Sequence, residues 1–332
     1  MNMKKWLSEL KNERKPLPIL SFPSATLLEM NVSELISSSE NQAKGMKAIS
    51  DRCDSAASVS FMDLSVEAEC FGANVVFSDD EVPTIMGRII ETDEDADNLK
   101  VPEVGSKRSK IYIDAIKKAK KMITDRPVLA GVIGPFSLAA RLIDVTEIMM
   151  ECYDNPEMVE TVLSKATEFL INYCLAYKEA GANGIVMAEP VSGLLSPSLE
   201  EEFSMPYVKK IVDAVQDDEF IVIYHNCGDN TPMMTDSFIE NGAAAYHFGN
   251  SIDMEEMIKK FPGNVPVMGN IDPAGEFFGG TKDSIKAATK TLLEKCGKHD
   301  NFVLSSGCDI PPHSLWENID AFFEASREYY GK

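Results

Sequence analysis

The stretch FIVIYHNCGD, residues 220–229, decides how this chain reads. Its first half is apolar at every position, as a strand covered on both faces must be; a strand with one wet face would alternate. Its second half turns polar and places a histidine and a cysteine two residues apart, His225 and Cys227. A strand buried along its body and chemically equipped at its C-terminal end belongs in a parallel sheet whose functional groups gather at one edge.

The same unit recurs on both sides. Apolar runs LPILSF (17–22), ASVSFMDL (57–64), PVLAGVIG (127–134), GIVMAEP (184–190), AAAYHFG (243–249), VPVMGNID (265–272) and FVLSSGCD (302–309) alternate with amphipathic stretches such as 156–182 and 284–298. With residues 220–227 they make eight strands, which predicts an α/β fold, a (β/α)8 TIM barrel built by residues 1–332 as a single domain. The segment MNMKKWLSELKNERKPLPIL (1–20) has a basic start but neither the continuous apolar core nor the small-residue cleavage site of a secretion signal, so it reads as an N-terminal helical extension. EAGANG (179–184) and ENGAAA (240–245) put glycine where a helix must end before the next strand. Residues 74–126 fit the alternation poorly. Their acidic run ETDEDADN (91–98) and basic run SKRSKIYIDAIKKAKK (106–121) predict an excursion from the barrel, a surface loop followed by a helix.

Composition excludes several functions. A net charge of -21, with a single short basic run, argues against nucleic acid, whose phosphates are held by concentrated Lys and Arg. No apolar stretch approaches the ~20 residues that cross a bilayer, so no membrane association is expected. Seven cysteines, an odd number with no framework spacing, read as reduced thiols in a cytoplasmic protein. No G-x-G-x-x-G follows a strand and no phosphate-binding loop is present, which removes the main support for a nucleotide cofactor.

In a barrel of this kind the chemistry sits at the C-terminal ends of the strands. That rule selects Asp63, Glu189, His225, Cys227, His247, Asp272, Cys308 and Asp309. His225 and Cys227, two apart on a strand, leave the same face with Cα atoms roughly 6.6–6.8 Å apart. Cys308 ends the last strand, and the barrel brings such ends toward a common mouth. One imidazole and two thiolates form a set that suits zinc, with a coordination position left for an exchangeable ligand. Spacing alone leaves the alternative open: a core histidine bonded to a carbonyl, beside core cysteines. His247 could hydrogen-bond within the site but reads first as a satisfied core histidine, and His299 and His313 carry no assigned chemistry.

Residues 224–248, VPVMGNIDP (265–273) and FVLSSGCDIPPHSLWENIDAFFEA (302–325) resemble the uroporphyrinogen decarboxylase superfamily, and within it the cobalamin-dependent methyltransferases. FMDLSVEAECFG (61–72) and IGPFSLAARL (133–142) extend the resemblance into the first half. The decarboxylase branch carries an arginine-rich segment after its first strand, whereas SFPSATLLEM (21–30) holds neither Arg nor Lys, and Cys308 stands where that branch has His. The methyltransferase branch has H-x-C on one strand and G-C-D on the last. The resemblance therefore implies zinc held by His225, Cys227 and Cys308, and a corrinoid (cobalamin) carried by a separate protein, since no D-x-H-x-x-G module is present.

It implies methyl transfer between that corrinoid protein and a small thiol such as coenzyme M, the metal activating the thiolate. Two alternatives accompany it: transfer from a methoxylated or methylamine donor to the corrinoid, or a decarboxylase. Asp63 matches the aspartate with which the decarboxylases hold pyrrole NH groups, and is one candidate catalytic residue, with a strand-end carboxylate capping the following turn as the competing reading. Glu189 is the other, as a base or fourth metal ligand, with loop capping as the competing reading. Asp309 is expected to point away from the metal by strand alternation.

Overall fold

The computed structural model describes residues 1–331 and contains nine strands. In chain order they are β1 (Ser58–Val59), β2 (Asn74–Val76), β3 (Thr84–Met86), β4 (Val128–Ile133), β5 (Gly184–Ala188), β6 (Ile221–Asn226), β7 (Ala245–Phe248), β8 (Val267–Ile271) and β9 (Phe302–Ser306). Seven of them pair in parallel in the order β1, β4, β5, β6, β7, β8, β9, with helices covering the outside, and the fold is a (β/α)8 barrel. The register aligns the strand ends: Ala188 lies opposite His225, and His225 opposite His247.

The expected first strand, residues 17–22, is not a ladder strand. Pro16 and Pro18 have no N–H to donate, so the segment runs extended in the eighth position and makes only scattered bonds. Leu17 N donates to Leu304 O at 2.9 Å on the β9 side, and Ala56 N donates to Pro16 O at 2.8 Å on the β1 side. The ring of eight is thereby closed by seven strands and one irregular segment.

Inside the ring, Val59, Leu129, Val186, Ile221, Ile223, Ala245, Met268 and Val303 pack together. The N-terminal helix Met3–Glu13 adds Met3, Trp6 and Leu10 to that cluster, one residue from nearly every turn. Met3 N donates to Asp218 O, just ahead of β6, so the helix plugs the end where the strands begin. The opposite end stays available for chemistry. Outside the ring, the helix Pro156–Glu179 buries Val159, Val162, Leu163, Ala166, Phe169, Leu170, Tyr173 and Tyr177, the i, i+3, i+4 stripe of a helix facing a core.

The excursion departs from its sequence reading. It opens with the antiparallel hairpin β2–β3. The acidic run is a short helix, Asp93–Asn98, whose N-cap Thr92 accepts from Asp95 N while Asp95 accepts from Thr92 N, so the acidic residues of its first turn suit the helix dipole. The basic run forms the helix Ser109–Met122 that leads back to β4. Among the described residues no helix is long and apolar enough to cross a membrane.

Candidate metal centre

His225 is the penultimate residue of β6 and is buried; Cys227 follows one residue beyond the strand. Cys308 arrives from β9 through Gly307, whose N–H donates to Ile271 O and so ties the turn to β8. One atom from each of the three side chains lies within 4.8 Å of the others. His225 Nε2 and Cys308 Sγ are 3.5 Å apart, against about 3.6 Å for a tetrahedral ion with ordinary zinc–nitrogen and zinc–sulfur bonds. The donor set and this distance suit such an ion.

Local sequence makes the approach possible. A Cβ on Gly249, at the end of β7, would lie 2.6 Å from Cys227 Cβ, so only glycine lets the cysteine sit there. The two thiols behave as a pair. A hydrogen bond from Cys308 holds the Cys227 thiol below its ordinary value, and the same bond, with burial, pushes Cys308 up to about 12. Cys227 is thus the first to ionise.

Behind His225 lies a chain of contacts. His225 Nδ1 is 3.2 Å from His247 O and 2.8 Å from His247 Nδ1. His247 Nε2 is 2.7 Å from Ser305 Oγ, which donates to Leu17 O at 2.7 Å. Burial, then the neighbouring His225, hold His247 well below the usual imidazole value, so it is neutral. The sequence offers His247 a place in the core or a hydrogen bond within the site, and the structure gives it both.

Glu189 is buried just beyond β5, and both its oxygens are engaged by the start of the helix Pro135–Ile143. Oε1 accepts from Phe136 N at 2.6 Å and Oε2 from Ser137 N at 2.8 Å. Gly134 leaves room for it, since a Cβ there would meet Glu189 Cδ at 2.4 Å. Burial outweighs these bonds and raises the carboxyl to about 7. Glu189 is not in the cluster formed by His225, Cys227 and Cys308.

Asp63 is fully engaged. Oδ1 accepts from Ser65 N (3.1 Å) and Ser65 Oγ (2.5 Å), while Oδ2 accepts from Tyr112 OH (2.7 Å) and pairs with Arg108 Nη1. Arg108 also donates to Glu69 at 2.7 Å and lies 4.9 Å over the Phe77 ring. It stands in the basic run 106–121, and nothing in the local sequence marks it as the residue that returns to Asp63. Asp272 caps the turn after β8, its Oδ1 accepting from Ala274 N and Gly275 N, both at 2.9 Å. Asp309 Oδ1 is buried without a hydrogen-bond partner, and burial beside Cys308 drives its carboxyl well above the ordinary range.

A family model described as uroporphyrinogen decarboxylase (URO-D) matches residues 19–329. Methylcobamide:CoM methyltransferase MtbA of Methanosarcina acetivorans is 28% identical over 274 residues, covering 80% of this chain and 78% of that protein. Methylcobamide:CoM methyltransferase MtaA of Methanosarcina barkeri is 31% identical over 242 residues, covering 70% and 68%. A uroporphyrinogen decarboxylase of Hydrogenovibrio crunogenus is 27% identical over 288 residues, covering 82% and 78%. A solved methyltransferase from Methanosarcina mazei has the same fold, with a TM-score of 0.87 at 24% identity over 99% of each chain.

Proposed function

This chain belongs to the uroporphyrinogen decarboxylase family, and within it we propose that it is a zinc-dependent methyltransferase moving a methyl group between a corrinoid protein and a small thiol such as coenzyme M. The observation that carries this reading is the convergence of His225, Cys227 and Cys308 at the barrel mouth. Zinc, when bound, would supply a Lewis acid that binds the acceptor sulfur and favours its thiolate form.

The chain's own residues do the rest. His225, Cys227 and Cys308 offer one nitrogen and two sulfurs, three ligands rather than four, the pattern of a site that keeps a position for substrate. The plugged far end of the barrel leaves the mouth as the route for thiol and partner. The loops after β5, β6, β8 and β9 expose Leu194, Met233, Phe278 and Leu315 on that side, apolar surface of the kind a docking corrinoid protein covers. Free thiols at all seven cysteines agree with a cytoplasmic setting.

Asp63 weighs against the decarboxylase alternative. All four of its acceptor positions are taken by Ser65, Tyr112 and Arg108, which leaves none for a pyrrole NH, and residues 21–30 lack the arginines that would hold the carboxylates. The contacts of Glu189 to Phe136 N and Ser137 N support a role in holding the start of the helix Pro135–Ile143.

The test is methylation of a small thiol by the zinc-loaded protein supplied with methylcobalamin. Product that disappears in Cys227→Ser supports the reading. Formation of coproporphyrinogen from uroporphyrinogen at catalytic rates, with no thiol methylation, would overturn it.

A further inference from the structure

The contacts behind the metal centre have a direction that can be worked out from what each group is able to donate. Leu17 O can only accept, so the Ser305 hydroxyl hydrogen points to it, at 2.7 Å. Ser305 Oγ, its single hydrogen committed, must accept from His247 Nε2 at 2.7 Å. His247 therefore carries its proton on Nε2, and its Nδ1 is left with a lone pair. That lone pair faces His225 Nδ1 at 2.8 Å, and the other hydrogen-bond neighbour of this nitrogen among the described residues, His247 O at 3.2 Å, is also an obligate acceptor. Both contacts require the His225 proton on Nδ1. In the neutral ring Nε2, the nitrogen 3.5 Å from Cys308 Sγ, then presents a lone pair to the thiols.

We infer that His247 and Ser305 are positioning residues that, anchored on the Leu17 carbonyl, lock His225 in its Nδ1–H tautomer and so aim Nε2 at the metal. The anchor comes from the irregular segment in the eighth strand position. All of these side chains are buried, so water does not compete for the bonds. A histidine ligand whose second nitrogen donates to a fixed acceptor is both oriented and made more basic. The feature that distinguishes this site is that the acceptor is a second histidine, whose own tautomer is set two bonds further on.

This inference rests on the zinc reading for its consequence and on hydrogen-bond geometry for its substance, and the two are tested separately. The first experiment is long-range proton–nitrogen NMR of the metal-free protein, in which four histidines give four resolvable ring patterns. The expected result is a protonated Nδ1 on His225 and a protonated Nε2 on His247. The reverse tautomer on His225 would overturn the inference whatever the protein binds. The second is competition for zinc against a chelator. His247→Phe and Ser305→Ala are expected to weaken zinc affinity by about 10- to 100-fold.

His247→Gln and Ser305→Thr, which keep a donor and an acceptor or the hydroxyl, are expected to restore most of that affinity. Should His247→Phe fail to fold, the Ser305→Ala and Ser305→Thr pair carries the comparison. Zinc affinity in Ser305→Ala equal to wild type would sink the inference; a wild type that never binds zinc but shows the expected tautomers would instead sink the proposed function.

Discussion

At the scale of single residues, the barrel mouth keeps several ionisable groups out of water, and each has a measurable consequence. Burial raises Glu67 from 4.5 to about 7; its Oε1 accepts from Ile133 N at 3.1 Å, while its Oε2 meets no donor among the described residues. A carboxyl whose folded value is raised keeps its proton in the folded state between those two values. Stability therefore falls as pH rises through that window and levels off above it. Glu67→Gln keeps the acceptor for Ile133 and cannot titrate. Its melting temperature relative to wild type should rise between about pH 5 and about pH 8, by the equivalent of at most about 3 kcal/mol. An equal pH profile for both proteins would show that Glu67 is not the group responsible.

Arg108 is the opposite case, a buried cation matched to Asp63 and Glu69. Arg108→Met strands the Asp63 carboxylate and should cost about 3–5 kcal/mol in chemical unfolding. The double variant with Asp63→Asn should lose much less than the sum of the two single changes. Additive losses would mean the pair does not act as a unit.

At the scale of elements, the legible strands are those with a mainly apolar body: β1, β4, β5, β6, β7, β8 and β9 all fall within runs read directly from the sequence. The segment 17–22 was misread because its apolar content suits a strand while its prolines forbid the ladder, and content outweighs hydrogen bonding in a pattern search. The hairpin β2–β3 was missed because three-residue strands with mostly exposed side chains carry almost no periodic signal.

The candidate ligands were legible because strand ends are countable. Their support was not: the contact between His225 and His247 depends on register across two strands, and the return of Arg108 to Asp63 on a hairpin that sequence does not announce. Register also makes a prediction. Gly249→Ala, at the end of β7, should push Cys227 aside while the barrel still folds, so zinc affinity should fall with little change in circular dichroism. Unchanged affinity would show that the β6 loop yields at no cost to the site.

At the scale of the whole molecule, the architecture separates stability from chemistry. The helix Met3–Glu13 fills the end where the strands begin, and the strand ends and loops at the other end hold every candidate group. The central claim is that three residues from two distant parts of the chain, His225 with Cys227 and then Cys308, form one zinc site. The most direct measurement is elemental analysis of the untagged protein beside Cys308→Ser, each purified without added metal and again after reconstitution. About one zinc per chain in the wild type, falling sharply in the variant while both retain the same fold by circular dichroism, is the predicted result. Equal zinc in both proteins, or none in either after reconstitution, would contradict the account.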